Sequence, residues 1–145
     1  MEALQQRAQA CANALAGYHR SMTEPIHIAC LCAAWCRLCD DYALVFQLLA
    51  AELNETGLPL QWHWIDIEDE AELLGDMDVE TFPTLVIADR DHVRFAGALT
   101  PQPETLRRVA RATIAGPSRA DAHWPAVAPA IEAFAVRLRR RAVSV

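Results

Sequence analysis

The sequence predicts an α/β fold. A compact apolar run, Ile26 to Ala33, reads as a buried strand, and it gives way at once to Leu38, Tyr42, Val45, Phe46, Leu49 and Leu53 at steps of three and four, one face of a helix. Another strand-like stretch, Leu60 to Ile67, follows that helix. Two more, Thr84 to Ala88 and His92 to Ala96, flank the turn residues Asp89-Arg90-Asp91 as a hairpin would. A strand, a helix and a strand in succession, followed by a hairpin, describes a sheet with helices laid over it.

The chain of 145 residues suits one domain with a sizeable core, and 53% hydrophobic with 22% charged residues reads as globular. A formal charge of −6 argues against a nucleic-acid surface as the main business of the fold. Apart from histidine every basic residue is arginine, which together with the many alanines reads as codon bias. No apolar run is long enough to span a bilayer, and Met1 to Arg7 lacks a basic start followed by an apolar core, so no membrane or secretory segment is expected. The expected compartment is the cytosol, where cysteines are more often reduced, catalytic or metal-binding than paired as structural bridges.

Taken in order, Glu2 to Ala16 has Leu4, Ala8, Cys11 and Leu15 on one helical face, with Gly17 as a stop and Cys11 as a small buried hydrophobe. Tyr18 to Glu24 is polar and turn-like. On the strand Ile26 to Ala33, the two-residue period turns Cys30 and Cys32 to the same side. The helix that opens at Cys36 is expected to end near Thr56-Gly57, with Pro59 preventing any continuation. Along the next strand Leu60, Trp62, Trp64 and Asp66 face one way, and Gln61, His63, Ile65 and Ile67 the other. Trp64 is read as core.

More than half the residues from Asp66 to Glu80 are acidic, and a short helix from Glu70 to Leu74, ended by Gly75, would expose most of them. A solvated face is the plain reading; steering of basic partners, weakened by salt, is the functional one. Gly97 reads as a bulge or stop after the hairpin. Pro103 to Ala115 is a helix with Leu106, Val109, Ala110 and Ile114 inward and Arg107, Arg108 and Arg111 outward, closed by Gly116-Pro117. In the tail Trp124, Val127, Ile131, Phe134 and Leu138 stand at helical spacing, and Arg137, Arg139, Arg140 and Arg141 make its end basic. So short a helix must dock on its own domain, a second copy or a partner. The five histidines form no ligand-like spacing.

The chemistry is concentrated in Trp35-Cys36-Arg37-Leu38-Cys39. A helix start has unpaired N–H groups and the positive end of the macrodipole, so a thiolate at Cys36 would be stabilised there. Cys39, three residues on, lies on the same face and can close a disulfide with it. Asp40 and Asp41, in the first turn or just beyond, suit the dipole but oppose a nearby thiolate. The implied chemistry is thiol–disulfide exchange. With Cys30 and Cys32 there are four thiols within ten residues, a set that could in principle hold zinc or an iron–sulfur cluster, although strand and helix-start thiols do not obviously converge. No metal or cofactor is expected.

Ala34-Trp35-Cys36-Arg37-Leu38-Cys39 resembles the Trp-Cys-x-x-Cys site of the thioredoxin superfamily, and Thr81-Phe82-Pro83-Thr84 resembles its cis-proline loop. The resemblance covers roughly residues 26–115. It implies a thioredoxin-like three-layer α/β/α sandwich with a mixed four-stranded sheet, lacking the family's first strand and carrying extra helices at both ends. The division expected is a thioredoxin-like domain, 1–117, and a helical extension, 118–145. The implied activity is that of a thiol–disulfide oxidoreductase on protein or small-molecule disulfides, recharged by a glutathione or thioredoxin-reductase type of reductant. In that reading Cys36 is the nucleophile and Cys39 resolves, Trp35 and Phe82 line the groove, and Pro83 presents the substrate backbone. Arg37 and Leu38 tune the potential, the arginine toward the oxidising end of a span of about −270 to −120 mV. Cys30 stands where the family commonly has a buried aspartate, and the lysine usual near Trp64 is also missing, so the resolving step would be slower or use water. Two alternatives stay open: a non-catalytic thioredoxin-like module that binds a partner through the groove or the tail, and a cysteine cluster that senses redox state or binds metal.

Overall fold

A computed structural model of the chain describes residues 24–100, 102–117 and 121–141. The expected N-terminal helix with Cys11, and the start of the fold where a first strand is expected to be missing, lie outside the described residues.

The described residues form β1 (Ile26–Cys32), α1 (Arg37–Asn54), β2 (Leu60–Asp66), α2 (Ala71–Leu74), β3 (Thr84–Ala88), β4 (Val93–Ala98), α3 (Pro103–Ile114) and α4 (Pro129–Arg139). The strands make one sheet in the order β2-β1-β3-β4. β1 pairs parallel with β2, as a strand–helix–strand crossover requires, and antiparallel with β3, which pairs antiparallel with β4. Every residue of β1 is buried, as befits a central strand covered on both faces.

Pleating divides β1 between two cores. Ile26, Ile28, Cys30 and Cys32 face α1 and α3, where they pack with Tyr42, Phe46, Trp62, Leu85 and Leu106. Ala29 and Leu31 face the other way, against Ile65, Val86 and the α4 residues Phe134, Ala135 and Leu138. Trp62 and Trp64 fall on the α1 side, both against Phe46, and Ile65 on the other, as the alternation of the sequence predicts.

Four details differ from expectation. Leu38 is turned to solvent and Cys39 takes the inward position, because the buried face of α1 runs Cys39, Tyr42, Phe46, Leu49, Ala50 and Leu53. The helix stops at Asn54, where the Thr56 N–H and hydroxyl both fold back onto the Leu53 carbonyl, and Gly57 adopts the left-handed conformation at φ 78°. Gly97 sits inside β4, and the irregularity in the hairpin is at Ile87/Ala88 instead. The tail helix starts only at Pro129, leaving Trp124 and Val127 before it. Proline serves as its first residue and disfavours helical geometry in the residue before it.

The arginines at the end of α4 are pins more than a basic surface. Arg137 donates to the carbonyls of Leu73 (2.6 Å) and Leu74 (2.9 Å), closing the C-terminus of α2. It reaches them over Gly75, where any Cβ would meet its guanidinium at 2.6 Å. Arg139 donates to the Asp89 carbonyl (2.7 Å), and Arg141 pairs with Glu70 (2.7 Å). On the opposite face, Arg107 and Arg111 of α3 both pair with Glu52 of α1.

Candidate active site

β1 delivers the chain to a tight turn in which the Cys36 N–H donates to the Ala33 carbonyl at 3.0 Å. Cys36 is the N-cap of α1, with extended φ and ψ of −87° and 111°, and no side chain caps the helix. The first-turn N–H groups of α1 thus have no side-chain acceptor, and the Cys36 thiol at their head is half-buried. Cys39 is one turn on and buried on the core side of the helix. Cys39 belongs to the apolar cluster between β1 and α1, and Cys36 packs against it.

Two further buried thiols, Cys30 and Cys32 of β1, belong to the same apolar cluster as Cys39. All four cysteines are free thiols. Burial pushes the Cys39 thiol well above the ordinary range, helped by the Cys32 thiol and opposed by the Ala33 backbone. Cys32 is pushed up further, first by the Cys30 thiol and then by burial. The Tyr42 phenol is also pushed up, by burial and then by Cys30 and Cys32, and its hydroxyl is buried without a hydrogen-bond partner. Among the described residues, no three His, Cys, Asp or Glu side chains are grouped to hold a metal ion.

The aromatic rim comes from two distant segments. Trp35 is 66% exposed, stacks edge-on against Phe82 with centroids 5.6 Å apart, and donates its indole N–H to Glu68 at 2.8 Å. The Phe82–Pro83 peptide is cis, Pro83 is buried, and its carbonyl accepts from the Leu99 N–H at 3.0 Å. Arg37 and Leu38 are both exposed on the first turn of α1. Trp35, Cys36 and Cys39 are thus brought together with Phe82, and Cys30 lies in the buried cluster they pack against.

Sequence reasoning missed three participants: Cys32 as a buried thiol in the cluster that holds Cys39, Tyr42 as a buried hydroxyl in the same cluster, and Glu68 as the partner of the Trp35 indole. The signal for the first two was present. Cys30 and Cys32 share the strand face that meets the helix, and Cys39, Tyr42 and Phe46 share the helix face that meets the strand. No spacing rule connects Trp35 with Glu68, which lie on separate loops.

The family model described as Thioredoxin matches residues 16–109, more than half of the chain. Among solved structures, the germline-specific thioredoxin Deadhead of Drosophila melanogaster is similar at 17% identity and a TM-score of 0.54, covering 70% of this chain and 92% of that one. Thioredoxin of Trypanosoma brucei brucei is similar at 21% identity and 0.53, covering 68% and 83%. The first two thioredoxin domains of Saccharomyces cerevisiae Eps1p give 21% and 0.53, covering 69% of this chain and 39% of that one. No curated protein matches. The α/β architecture, the mixed four-stranded sheet and the family match agree, and the chain belongs to the thioredoxin family.

Proposed function

We propose that the protein is a thiol–disulfide oxidoreductase acting through Cys36 and Cys39 on protein or small-molecule disulfides in the cytosol. The observation that carries the reading is a half-buried thiol at a helix N-cap with a second, buried thiol one turn on. In the reductive direction the Cys36 thiolate attacks one sulfur of the client disulfide and releases the other as a thiolate. Cys39 then attacks the Cys36 sulfur, frees the client's second thiol and leaves a Cys36–Cys39 disulfide, so that two electrons have passed to the client. Trp35 and Phe82 offer an apolar rim for the client chain beside Pro83, and a glutathione or reductase-type donor would restore the dithiol.

The high proton affinity of Cys39 makes resolution the slow step at neutral pH, since only the thiolate attacks. Resolution should therefore accelerate about tenfold per pH unit through neutrality, the thiolate fraction growing in that proportion. The deciding experiment is reduction of insulin disulfides by wild type, Cys36→Ser and Cys39→Ser. Wild type should turn over, Cys36→Ser should be inactive, and Cys39→Ser should accumulate mixed disulfides. Wild-type turnover no faster than Cys36→Ser would refute the enzymatic reading and leave a partner-binding module of the same fold.

A further inference from the structure

An open cavity of about 240 Å³ lies among Glu24, Pro25 and His27 at the start of β1, Arg90 in the β3–β4 turn and Arg139 at the end of α4. It is at the far end of β1 from the cysteines, since the strand runs about 16 Å from His27 to Cys32. Its lining is rich in hydrogen-bond donors. Arg139 is fixed by one hydrogen bond, from Nε to the Asp89 carbonyl at 2.7 Å, and its Nη2 is buried with no partner. His27 is 4% exposed, and its ring is oriented from the other side. Arg141 donates to His63 Nδ1 at 3.1 Å, so His63 Nε2 carries the proton that His27 Nδ1 accepts at 2.9 Å. The second His27 nitrogen, Nε2, is therefore protonated, and it makes no hydrogen bond among the described residues. Arg90, largely exposed, pairs with Glu24 at 2.5 Å.

We propose that this cavity binds a small carboxylate, which accepts from the Arg139 guanidinium and from His27 Nε2 and pairs with Arg90. Buried donors in a folded protein ordinarily have acceptors, and a ligand oxygen would satisfy those that the chain leaves open at Arg139 and His27. Charge selects the class of ligand. Two guanidiniums against the Glu24 carboxylate, with a neutral His27, leave one positive charge, which a single carboxylate balances. A phosphate dianion would overshoot it and face Glu24. Geometry agrees, because a planar carboxylate matches the planar guanidinium fork. The cavity also has room for a short carbon chain, with the Pro25 ring as an apolar wall. A bound carboxylate would tie together the start of β1, the hairpin turn and the end of the tail helix. The site is separate from the thiol chemistry, and its test does not involve the cysteines.

The test titrates the full-length protein, its histidine ring nitrogens labelled with ¹⁵N, with sodium butyrate at pH 7.5 and ionic strength held constant with sodium chloride. The His27 Nε2 resonance should move saturably, and Tm should rise with butyrate concentration, as for any ligand that binds only the folded state. Butyramide, which lacks the charge, should do neither, and inorganic phosphate at the same ionic strength should bind more weakly than butyrate. Arg139→Gln should weaken butyrate binding by about tenfold or more, the effect of losing a charge-assisted hydrogen bond. Arg90→Gln, at an exposed turn position, should weaken it about threefold and carries the comparison if Arg139→Gln does not fold. The proposal is overturned if the His27 shift stays linear in butyrate or is matched by butyramide. Phosphate binding as tight as butyrate, or an affinity unchanged in the folded arginine variants, overturns it equally.

Discussion

The face of the sheet away from the cysteines holds a proton-sensitive lock. His27 Nδ1 and His63 Nε2 are 2.9 Å apart in a stacked pair, both residues buried. Arg141 Nη1 approaches His63 Nδ1 at 3.1 Å. A guanidinium only donates, so His63 Nδ1 accepts, its Nε2 carries the proton, and that proton is donated to His27 Nδ1. Both rings are therefore neutral. Burial, then His27 and Arg141, pushes His63 down to about 3 from 6.5, and burial followed by Arg139 lowers His27 as well. Below pH 6.5 the unfolded chain takes up the proton that folded His63 refuses. Stability is thus fully present above that pH and is lost as pH falls toward 3, at about 1.4 kcal/mol per pH unit. From His63 alone the loss is about 2 kcal/mol by pH 5, a large part of the 5–15 kcal/mol of a typical domain. Urea unfolding of wild type and His63→Gln, followed by tryptophan fluorescence at pH 7, 6 and 5, measures it. The wild type should lose about 2 kcal/mol more than the variant over that range, His27 contributing equally to both. Parallel pH dependences would refute the neutral-pair assignment.

Other consequences follow from particular contacts. Phe134→Ala removes the largest α4 side chain buried against the sheet and should cost about 3–5 kcal/mol in urea unfolding; a loss under about 1 kcal/mol would mean that α4 is not held by that core. Arg94, buried, pairs with the buried Asp89 at 2.7 Å, donates to the carbonyls of Thr113 and Gly116, and lies 4.9 Å from the Trp124 ring centroid. Arg94→Met should therefore cost about 3–5 kcal/mol by stranding a buried carboxylate, and a variant as stable as wild type would contradict this. Arg37 is exposed on the first turn of α1, next in sequence to Cys36; if its charge tunes the proposed redox pair, Arg37→Gln should shift the glutathione equilibrium toward the disulfide, and an unchanged equilibrium would remove that role.

Much of this protein was readable as pattern. Strand and helix periods located β1, α1, β2, the hairpin and α3 to within a few residues, because side-chain spacing reports which face of an element is buried. The Cys-x-x-Cys at the strand-to-helix turn and the Phe-Pro pair were legible because they depend on neighbours along the chain. The tail's apolar residues announced docking without saying where, and its arginines read as a basic end until Leu73, Leu74, Asp89 and Glu70 supplied acceptors for three of them.

By itself the sequence determined the order of elements, the sides their residues take and the place of the Cys-x-x-Cys at a strand-to-helix turn, since these are local properties of a chain with periods of two and 3.6. Only the tertiary structure decided that Cys32 and Cys39 share one buried cluster with Tyr42, that His27 meets His63 under Arg141, and that Glu68 holds Trp35. Each of those contacts joins separate segments, and which side chains meet across a sheet or between loops is set by packing and by which buried polar atom finds a partner, quantities that no spacing along one chain contains.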